Sequence, residues 1–458
     1  MTAAPDDYDS AISAARAKAQ DELEACDARL EANPGNASLH KARGKVLLWL
    51  GRGEPVPHYE QSMSAYASAI EIDPNDAESY VGRGTARFNL DLIPEALEDF
   101  DRAVALAPRS ADAHYSRGET LVMLGRDHDA LSDFEAVLEV DAGSLDAQCS
   151  RGFALTRLGR HAEALDCMDH VLSGAVPDHP DALRGKIMAL LGLGRYGEAL
   201  DAAKRVLSSS PNAGAFRLLE ADALVELGRG EEALESVNLA LRGYPGTVEA
   251  LVSKARILHL LGRYNEMLEV CSDLITKHPD SAAFHLFRSL SLELLGRHPE
   301  SLAAFQIAYR LDPEFPMATH VGSVALHNTG FYKKALEMID RAIAANPDNS
   351  ALHELHVLRA QTLLMLGHFK EAVSECDRAI LLDPTLAHAH AVKGGALLAL
   401  GNALFALNSF NHALSLDRSS AHAHLGKGHA LRAMGQHERA RESFDAAAGL
   451  DPSLPVPG

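Results

Sequence analysis

The chain is poor in aromatic residues and lacks a long apolar run. Phe, Trp and Tyr make up 5% of its 458 residues, and Trp occurs once. This scarcity, together with abundant alanine, disfavours a β-sandwich and favours closely packed helices. Apolar residues still form 47% of the chain, which excludes wholesale disorder. At this length we expect several domains or a repeat array.

Cysteine is also scarce. The five cysteines, at positions 26, 149, 167, 271 and 376, are far apart in the sequence and form no CxxC motif. A reduced chain is the simplest interpretation. The segment Met1–Ser10 carries three aspartates and no basic cluster, and no apolar stretch follows it, so we expect no export by the common route. The sequence therefore predicts a cytoplasmic protein.

Basic residues are outnumbered by acidic ones. The chain has 43 basic and 63 acidic residues and a formal net charge of −20. Nucleic acid and anionic membranes attract clustered Lys and Arg, so neither is expected as a partner. The uncharged segment Gly394–Leu416 is broken by glycines, asparagines and a histidine, which argues against a membrane span.

Catalytic and cofactor motifs are missing. The sequence contains no GxSxG, HExxH or GxxxxGK[ST] motif and no strand that could carry a dinucleotide-binding loop. We therefore predict a protein that is not an enzyme and that uses neither a cofactor nor a catalytic metal.

What the sequence does contain is a dipeptide, most often Leu-Gly, that recurs at a nearly constant interval. We call each recurrence a step and its glycine the step glycine. The interval is 34 residues, with exceptions of 35, 37 and 40, and Asp91 takes the glycine place in one unit. A proline follows most steps after seventeen residues. The pattern divides the chain into twelve similar units. The step glycines are Gly51, Gly125, Gly159, Gly194, Gly228, Gly262, Gly296, Gly330, Gly367, Gly401 and Gly435.

Each unit has the pattern of two amphipathic helices. In the unit that contains Asp91, apolar residues three to four apart predict helices over Ala77–Leu90 and Glu95–Ala107, joined by a turn at Asp91–Pro94. Pro108 closes the unit because proline cannot continue a helix. Elsewhere the step glycine ends the first helix, where a left-handed residue is needed.

The pattern resembles the tetratricopeptide repeat family, whose signature is a 34-residue helix–turn–helix. In one unit the residues that carry the resemblance are Tyr80, Gly84, Ala96, Phe100, Ala103 and Pro108. In the next they are Gly118, Leu124, Gly125, Ala130, Phe134 and Val137. The resemblance implies an all-α fold, a right-handed superhelical solenoid whose concave groove is lined by the first helix of each pair. One such unit cannot bury its apolar face alone, so neighbouring units must stack.

The register suggests how the chain is divided. Residues 1–32 form an N-terminal capping helix or half-repeat, 33–452 a solenoid of about twelve repeats, and 453–458 a C-terminal tail. A six-residue insertion around Gly53–Tyr59 is expected to be a loop, either merely tolerated or shaping a binding rim. Histidine replaces the aromatic residue of the first helix in several units, which should weaken them; examples are His114, His285 and His356.

A basic residue precedes the glycine of the first helix in ten units, and acidic residues recur in the second helices. We interpret this as a structural ladder of ion pairs; the alternative is a cationic stripe that grips an acidic peptide. The basic residues are Arg43, Arg83, Arg117, Arg151, Lys186, Lys254, Arg288, Arg359, Lys393 and Lys427. The acidic residues are Asp27, Asp101, Glu135, Asp169, Asp340, Asp377 and Asp445.

Cysteine and histidine are the remaining chemically active residues. Cys26, Cys271 and Cys376 occupy the place that Phe100 holds in its unit, so we expect them to fill the core. Histidines crowd the last two units, where His388 and His422 hold equivalent places. A metal site needs several converging ligands. We predict no metal site, and a pH-sensitive surface is the alternative.

The groove is the predicted binding surface. Its middle and later units present an apolar strip flanked by imidazoles, suited to a peptide or an amphipathic helix, although tight superhelix packing could equally account for the apolar residues. The family's chaperone-tail binders clamp a terminal carboxylate with groove lysines, asparagine and arginine, and that set is not reproduced here. The predicted groove residues are Val252, Arg256, Leu286, Leu290, His320, Val324, His327, Val357 and Gln361.

Two further surfaces are candidates for association. Leu404 and Phe405 occupy places near a turn that are polar or small in other units, which predicts a docking patch or a stacked dimer. No capping helix follows the last unit, so self-association through the uncapped C-terminal end is a further possibility. We predict a non-enzymatic scaffold that binds a protein or peptide. The alternatives are a substrate-recognition or regulatory arm of an enzyme whose catalytic part is another chain, and a self-assembling structural protein.

Overall fold

A computed structural model of the chain describes residues 5–52, 55–174, 176–315, 318–345 and 352–457. These residues form 25 α-helices and no strand, which confirms the all-α class. None of the helices searched in the described part of the chain combines the length and the apolar character that a bilayer crossing requires.

The helices fall into two compact units, Met1–Tyr244 and Pro245–Gly458. The first unit contains α1 (Pro5–Ala32), α2 (Ala37–Gly51), α3 (Pro55–Ile72), α4 (Ala77–Asn89), α5 (Ile93–Leu106), α6 (Ala111–Met123), α7 (Asp127–Val140), α8 (Leu145–Arg157), α9 (His161–Ser173), α10 (Pro180–Gly192), α11 (Tyr196–Ser209), α12 (Gly214–Glu226) and α13 (Gly230–Gly243). The second contains α14 (Val248–Leu260), α15 (Tyr264–Lys277), α16 (Ala282–Leu294), α17 (His298–Leu311), α18 (Ala318–Asn328), α19 (Tyr332–Ala345), α20 (Leu352–Met365), α21 (Phe369–Leu382), α22 (Ala387–Ala399), α23 (Ala403–Leu416), α24 (Ala421–Ala433) and α25 (His437–Leu450).

Within each unit the helices stack in chain order. Every helix packs on the next, and α1 packs on α2. The first helices of successive pairs also touch, from α2 to α12 in the first unit and from α16 to α24 in the second. The second helices share no comparable contact among the described residues. Each unit is therefore a solenoid-like stack of helix pairs whose first helices adjoin one another.

Local chemistry sets the helix boundaries. Ser110, Ser144 and Ser420 precede first helices, and each hydroxyl accepts a hydrogen bond from the backbone N–H three residues later. The first helix ends in a left-handed residue at ten step glycines, with φ between 69° and 84°. Asp91 takes the same conformation at φ 62°. The prediction that this step needs a left-handed residue is confirmed at these places.

The turn and the insertion differ from expectation. The second helix of the Asp91 unit begins at Ile93, so Pro94 lies in the helix and not in the turn. Likewise α3 begins at Pro55, so most of the predicted loop is helical, while residues 53–54 lie outside the described part. Proline is tolerated in a first helical turn because its missing N–H would have no partner there. Gly51 remains helical, and a Cβ there would collide with Tyr59.

The predicted ion-pair ladder between successive repeats is confirmed for six of the ten basic residues. Each of these pairs joins a first helix to the second helix of the preceding repeat. The pairs are Arg43–Asp27 (2.6 Å), Arg117–Asp101 (3.0 Å), Arg151–Glu135 (3.7 Å), Lys186–Asp169 (2.6 Å), Arg359–Asp340 (2.7 Å) and Lys393–Asp377 (2.6 Å). Arg83 instead binds Asp99 of its own unit at 2.6 Å. These basic side chains are therefore occupied within the fold.

Some acidic side chains of the second helices are buried. Asp133 is 2% exposed; Arg117 donates to its two oxygens at 2.8 and 2.7 Å, and His114 Nδ1 lies 2.7 Å from Oδ1. A carboxylate can be buried in this way only because several partners satisfy it. In the second unit His356 contacts buried Glu375 at 2.7 Å. His114 and His356 thus bind a buried carboxylate, a contact that the sequence analysis did not foresee.

The cysteines pack as expected. Cys271 and Cys376 are buried, and Cys26 is half-buried. Burial raises the pKa of the Cys271 thiol to about 11 and that of Cys376 to about 12. Such thiols remain protonated and unreactive at neutral pH.

The C-terminal residues turn back onto the last helix pair. Val456 packs, half-buried, against the apolar cluster that includes Phe444 and Leu431. This contact covers part of the end that we expected to be uncapped. Self-association through that end remains a prediction.

A wedge between helices recurs along the stack. The ring of Phe410, on α23, lies between Gly394 of its own pair and Gly426 of the next, and a Cβ at either glycine would overlap it. Tyr66 lies in the same way between Gly44 and Gly82. At these two places the large side chain of the second helix fits because both flanking first helices carry a glycine.

Adjacent glycines in α22 provide a test of this wedge. Gly394→Ala should lower the free energy of unfolding by about 1–3 kcal/mol, because its Cβ would lie 2.8 Å from the buried ring of Phe410. Gly395→Ala should raise it by about 0.5–1 kcal/mol, because no atom lies within 4 Å and alanine favours the helix. Chemical denaturation followed by circular dichroism measures both. Equal effects of the two substitutions would contradict the wedge.

Candidate partner-binding surface

The first helices of the second unit carry all the predicted groove residues. We call their shared surface the first-helix face; it is formed by α14, α16, α18, α20, α22 and α24. Helical side chains three and four residues apart lie on one side, so two places per helix suffice to line such a face. Since second helices pack on both flanks of α16, α18, α20, α22 and α24, the face is the part of these first helices that remains for a partner.

The predicted groove residues differ in accessibility. Most are half-buried, which leaves part of each side chain at the surface: Val252, Leu290, His320, Val324, His327 and Gln361. Arg256 is exposed. Leu286 and Val357 are only 3% and 4% exposed and belong to the core. They hold the places of Val252 and His320 in their own units, so an equivalent place is not equally exposed in every repeat.

His327 has a defined tautomer. The Thr362 hydroxyl donates to the carbonyl of Leu358 at 2.7 Å, so His327 Nδ1–H must donate to Thr362 Oγ1 at 2.9 Å. The ring also meets the edge of Tyr332, with centroids 5.5 Å apart. Burial lowers the pKa of His327. The imidazole is therefore a neutral part of the face at neutral pH.

A second histidine contact lies further along the face. Gln361 Nε2 is 2.9 Å from His388 Nε2, which joins α20 to α22. Burial lowers the pKa of His388, and the charge of His422 lowers it further. The equivalent places of His388 and His422 thus bring the two imidazoles within electrostatic reach. In the described part of the chain no three His, Cys, Asp or Glu side chains converge as a metal site would require.

The sequence analysis missed three exposed apolar side chains at the ends of first helices. Leu260, Leu294 and Met365 are 61%, 42% and 54% exposed. All three stand two residues before a step glycine, so the repeat register could have found them. Leu294 lies one helical turn from Leu290 and extends the apolar surface on that side of α16, and Leu260 and Met365 hold the same repeat place on α14 and α20.

It also missed Glu293, next to Leu294 on α16. One of its carboxylate oxygens, Oε1, accepts hydrogen bonds from His298 Nδ1 at 2.5 Å and from Asn328 Nδ2 at 2.6 Å. Its side chain is 9% exposed. The same place is held by His259 and His327 in the flanking repeats, so a register comparison would have shown a carboxylate between two imidazoles.

The predicted patch on α23 is exposed. Leu404 and Phe405 are 56% and 63% exposed at the start of the helix.

Lys41, on a first helix of the first compact unit, forms two ion pairs within the chain. It contacts Asp76 at 3.2 Å and Glu78 at 2.8 Å. This pairing leaves the lysine unavailable as one arm of a carboxylate clamp.

Comparisons with known proteins point to one family. A model described as tetratricopeptide repeat matches residues 81–147, 150–214, 268–314 and 392–455, more than half of the chain. A second model with the same description matches 190–246. No curated protein matches the sequence significantly.

One solved structure shares the fold at a TM-score above 0.5, and two others are similar at lower scores. The crystal structure of the APC/C hetero-tetramer Cut9–Hcn1 contains a chain 16% identical, with 90% of this chain and 88% of that one covered at a TM-score of 0.51. Yeast Tom70 is 16% identical over 91% and 92% of the two chains, at a TM-score of 0.37. A tetratricopeptide repeat protein from Parabacteroides merdae is 14% identical over 62% and 98%, at 0.46.

The low pKa of His327 gives a testable pH dependence. The ordinary pKa of histidine, near 6.5, applies to the unfolded chain. At a pH between this value and the lower pKa of His327 in the folded protein, the unfolded state binds more protons than the folded state does. The contribution of His327 to stability is present above about pH 6.5 and is lost as the pH falls. The thermal midpoint should therefore drop between about pH 7.5 and about pH 5.5, and less in His327→Gln. The control His437→Gln, at an exposed histidine of α25, should leave the drop unchanged; equal drops in His327→Gln and wild type would contradict the assignment.

Proposed function

The chain belongs to the tetratricopeptide repeat family, and on that premise we propose that it is a non-catalytic scaffold that binds a peptide or helix of a partner protein on the first-helix face of its second unit. The observation that carries this proposal is the apolar area around Leu290 and Val324. Exposed leucines extend it at Leu260 and Leu294. Surface apolar residues in such a contiguous arrangement are typical of sites that bind proteins.

The arrangement favours a segment that buries apolar side chains. From α16 to α24 the first helices adjoin one another, so their accessible places form a row along the stack. An amphipathic helix or an extended peptide presents apolar residues at regular intervals and matches such a row. His327 and Gln361 flank the row with polar groups that can fix the orientation of the segment.

The rival function, an arm that recruits substrates for an enzyme in another chain, uses the same face. The two differ in what the bound partner does. Identification of the partner, followed by an assay of its activity with and without this chain, separates them: an enzyme whose substrate selection requires the chain would favour the rival.

Exposed leucines permit a test that leaves the fold intact. The double substitution Leu260→Glu and Leu294→Glu should weaken capture of the native partner from an extract of the source cells by about tenfold or more, because apolar anchors dominate such interfaces. Quantitative mass spectrometry of the captured proteins measures the change.

A matched control comes from two exposed leucines on the second helix α21. Leu381 and Leu382 are 83% and 51% exposed, so Leu381→Glu with Leu382→Glu makes the same chemical change away from the first-helix face. Capture should be unchanged in this control. Equal loss in both double variants would count against the face.

We also propose Leu404 and Phe405 as a second docking surface, for a partner or for another copy of the chain. The double substitution Leu404→Glu and Phe405→Glu should leave helicity unchanged, since both side chains are exposed, and should weaken the association by about tenfold or more. Light scattering detects a dimer, and partner capture detects a hetero-complex. If both measurements match the wild type, the patch has no role in binding.

A further inference from the structure

Only one of the two carboxylate oxygens of Glu293 accepts hydrogen bonds. Oε1 accepts both hydrogen bonds, from His298 and Asn328. Oε2 is buried and accepts no hydrogen bond from the described residues. Buried polar atoms in native proteins nearly always have a partner, and an ionised oxygen is the most costly exception. An oxygen of this kind is therefore a feature that calls for a role.

A purely structural role accounts for only half of the group. The bond to Asn328 joins α16 to α18, and the bond to His298 joins it to α17. Both use the same oxygen, so a neutral glutamine carbonyl at this place could accept them equally well. Neither bond requires the second oxygen or the negative charge.

Most of the side chains near Glu293 on the first-helix face are apolar. Leu294 and Leu260 are exposed beside it, and Leu290 and Val324 are half-buried on the same face. His259 holds the equivalent place one repeat earlier, and its Nδ1 is also buried without a hydrogen-bond partner among the described residues. No Lys or Arg of the described chain forms an ion pair with Glu293. Glu293 therefore places a carboxylate among apolar side chains of the face.

We propose that Glu293 determines the specificity of the first-helix face, and that its partner segment carries a lysine or arginine between apolar side chains. This inference rests on the proposed function, because it names the chemistry of the segment that the same face binds. Rotation of the Glu293 carboxylate towards the surface would let a cationic side chain of the segment complete the hydrogen bonding of Oε2 and neutralise the charge. The apolar residues on either side would pack against Leu290, Leu294 and Val324.

Electrostatics favours a cation over the other possible occupants. An acidic segment would place a second negative charge beside a poorly solvated one, and a wholly apolar segment would leave Oε2 without a donor. In a partly buried site a hydrogen bond between charged groups is worth about tenfold to a hundredfold in affinity.

Selection from random peptides tests the proposal without knowledge of the native partner. A phage library of random dodecapeptides is selected on the full chain, on Glu293→Gln and on Glu337→Gln. Glu337 is an exposed glutamate of α19, so its substitution removes one negative charge away from the face. Binders of the wild type and of Glu337→Gln should share a Lys or Arg flanked by apolar residues. Binders of Glu293→Gln should lack that preference.

Affinity measurements then separate the charge from the face. Fluorescence anisotropy measures the affinity of the tightest-binding selected peptide and of a second peptide in which norleucine replaces the basic residue. Norleucine should weaken binding to the wild type by about tenfold or more and leave binding to Glu293→Gln nearly unchanged. The thermal midpoint of Glu293→Gln should stay within about 3 °C of the wild type, which excludes misfolding as the cause.

Two outcomes would overturn the inference in different ways. In the first outcome, the double substitution Leu260→Glu with Leu294→Glu weakens the binding of the selected peptides, but the peptides show no preference for a basic residue. This result would reject the role of Glu293 and leave the proposed function standing. The absence of any selectable binder would reject both.

Discussion

The interlocking of each helix pair with the next is the constraint on which the rest of the structure depends. A large side chain from a second helix fills the space between two first helices, and glycine at both flanking places lets the backbones approach. Phe410 between Gly394 and Gly426 is one instance, and Met168 between Gly152 and Gly185 is another. Because a pair buries its apolar side only against its neighbours, stability is a sum of local interfaces along the stack.

This constraint explains what the sequence could predict. The step glycines predicted the ends of the first helices, since a left-handed residue is needed there and φ is positive at ten of them. Gly51 is the exception, because it is needed for close approach to Tyr59 and not for a turn. Pro55 and Pro94 misled for a related reason: proline interrupts a helix interior but is accommodated in a first turn.

The site was less predictable than the fold. Repeat register assigns a residue to a face, but its burial depends on the size of the side chains around it. Val252 and Leu286 hold equivalent places, yet Val252 is half-buried and Leu286 belongs to the core. The unpaired oxygen of Glu293 could not be foreseen, because it depends on which of two oxygens His298 and Asn328 approach.

Residues with a packing role and residues with a binding role can be separated by whether the stack itself requires them. Phe410 must be large and Gly394 must be small, so their identity reports on folding alone. The charged groups of an ion pair such as Arg117–Asp133 likewise bind each other within one repeat and offer nothing to a partner. Leu294 and Glu293 meet no such requirement: one is apolar where the stack would accept a polar residue, and the other is charged where it would accept a neutral one. On the proposed function, specificity for a partner would reside in the places where a repeat carries a residue that the packing of the stack does not require.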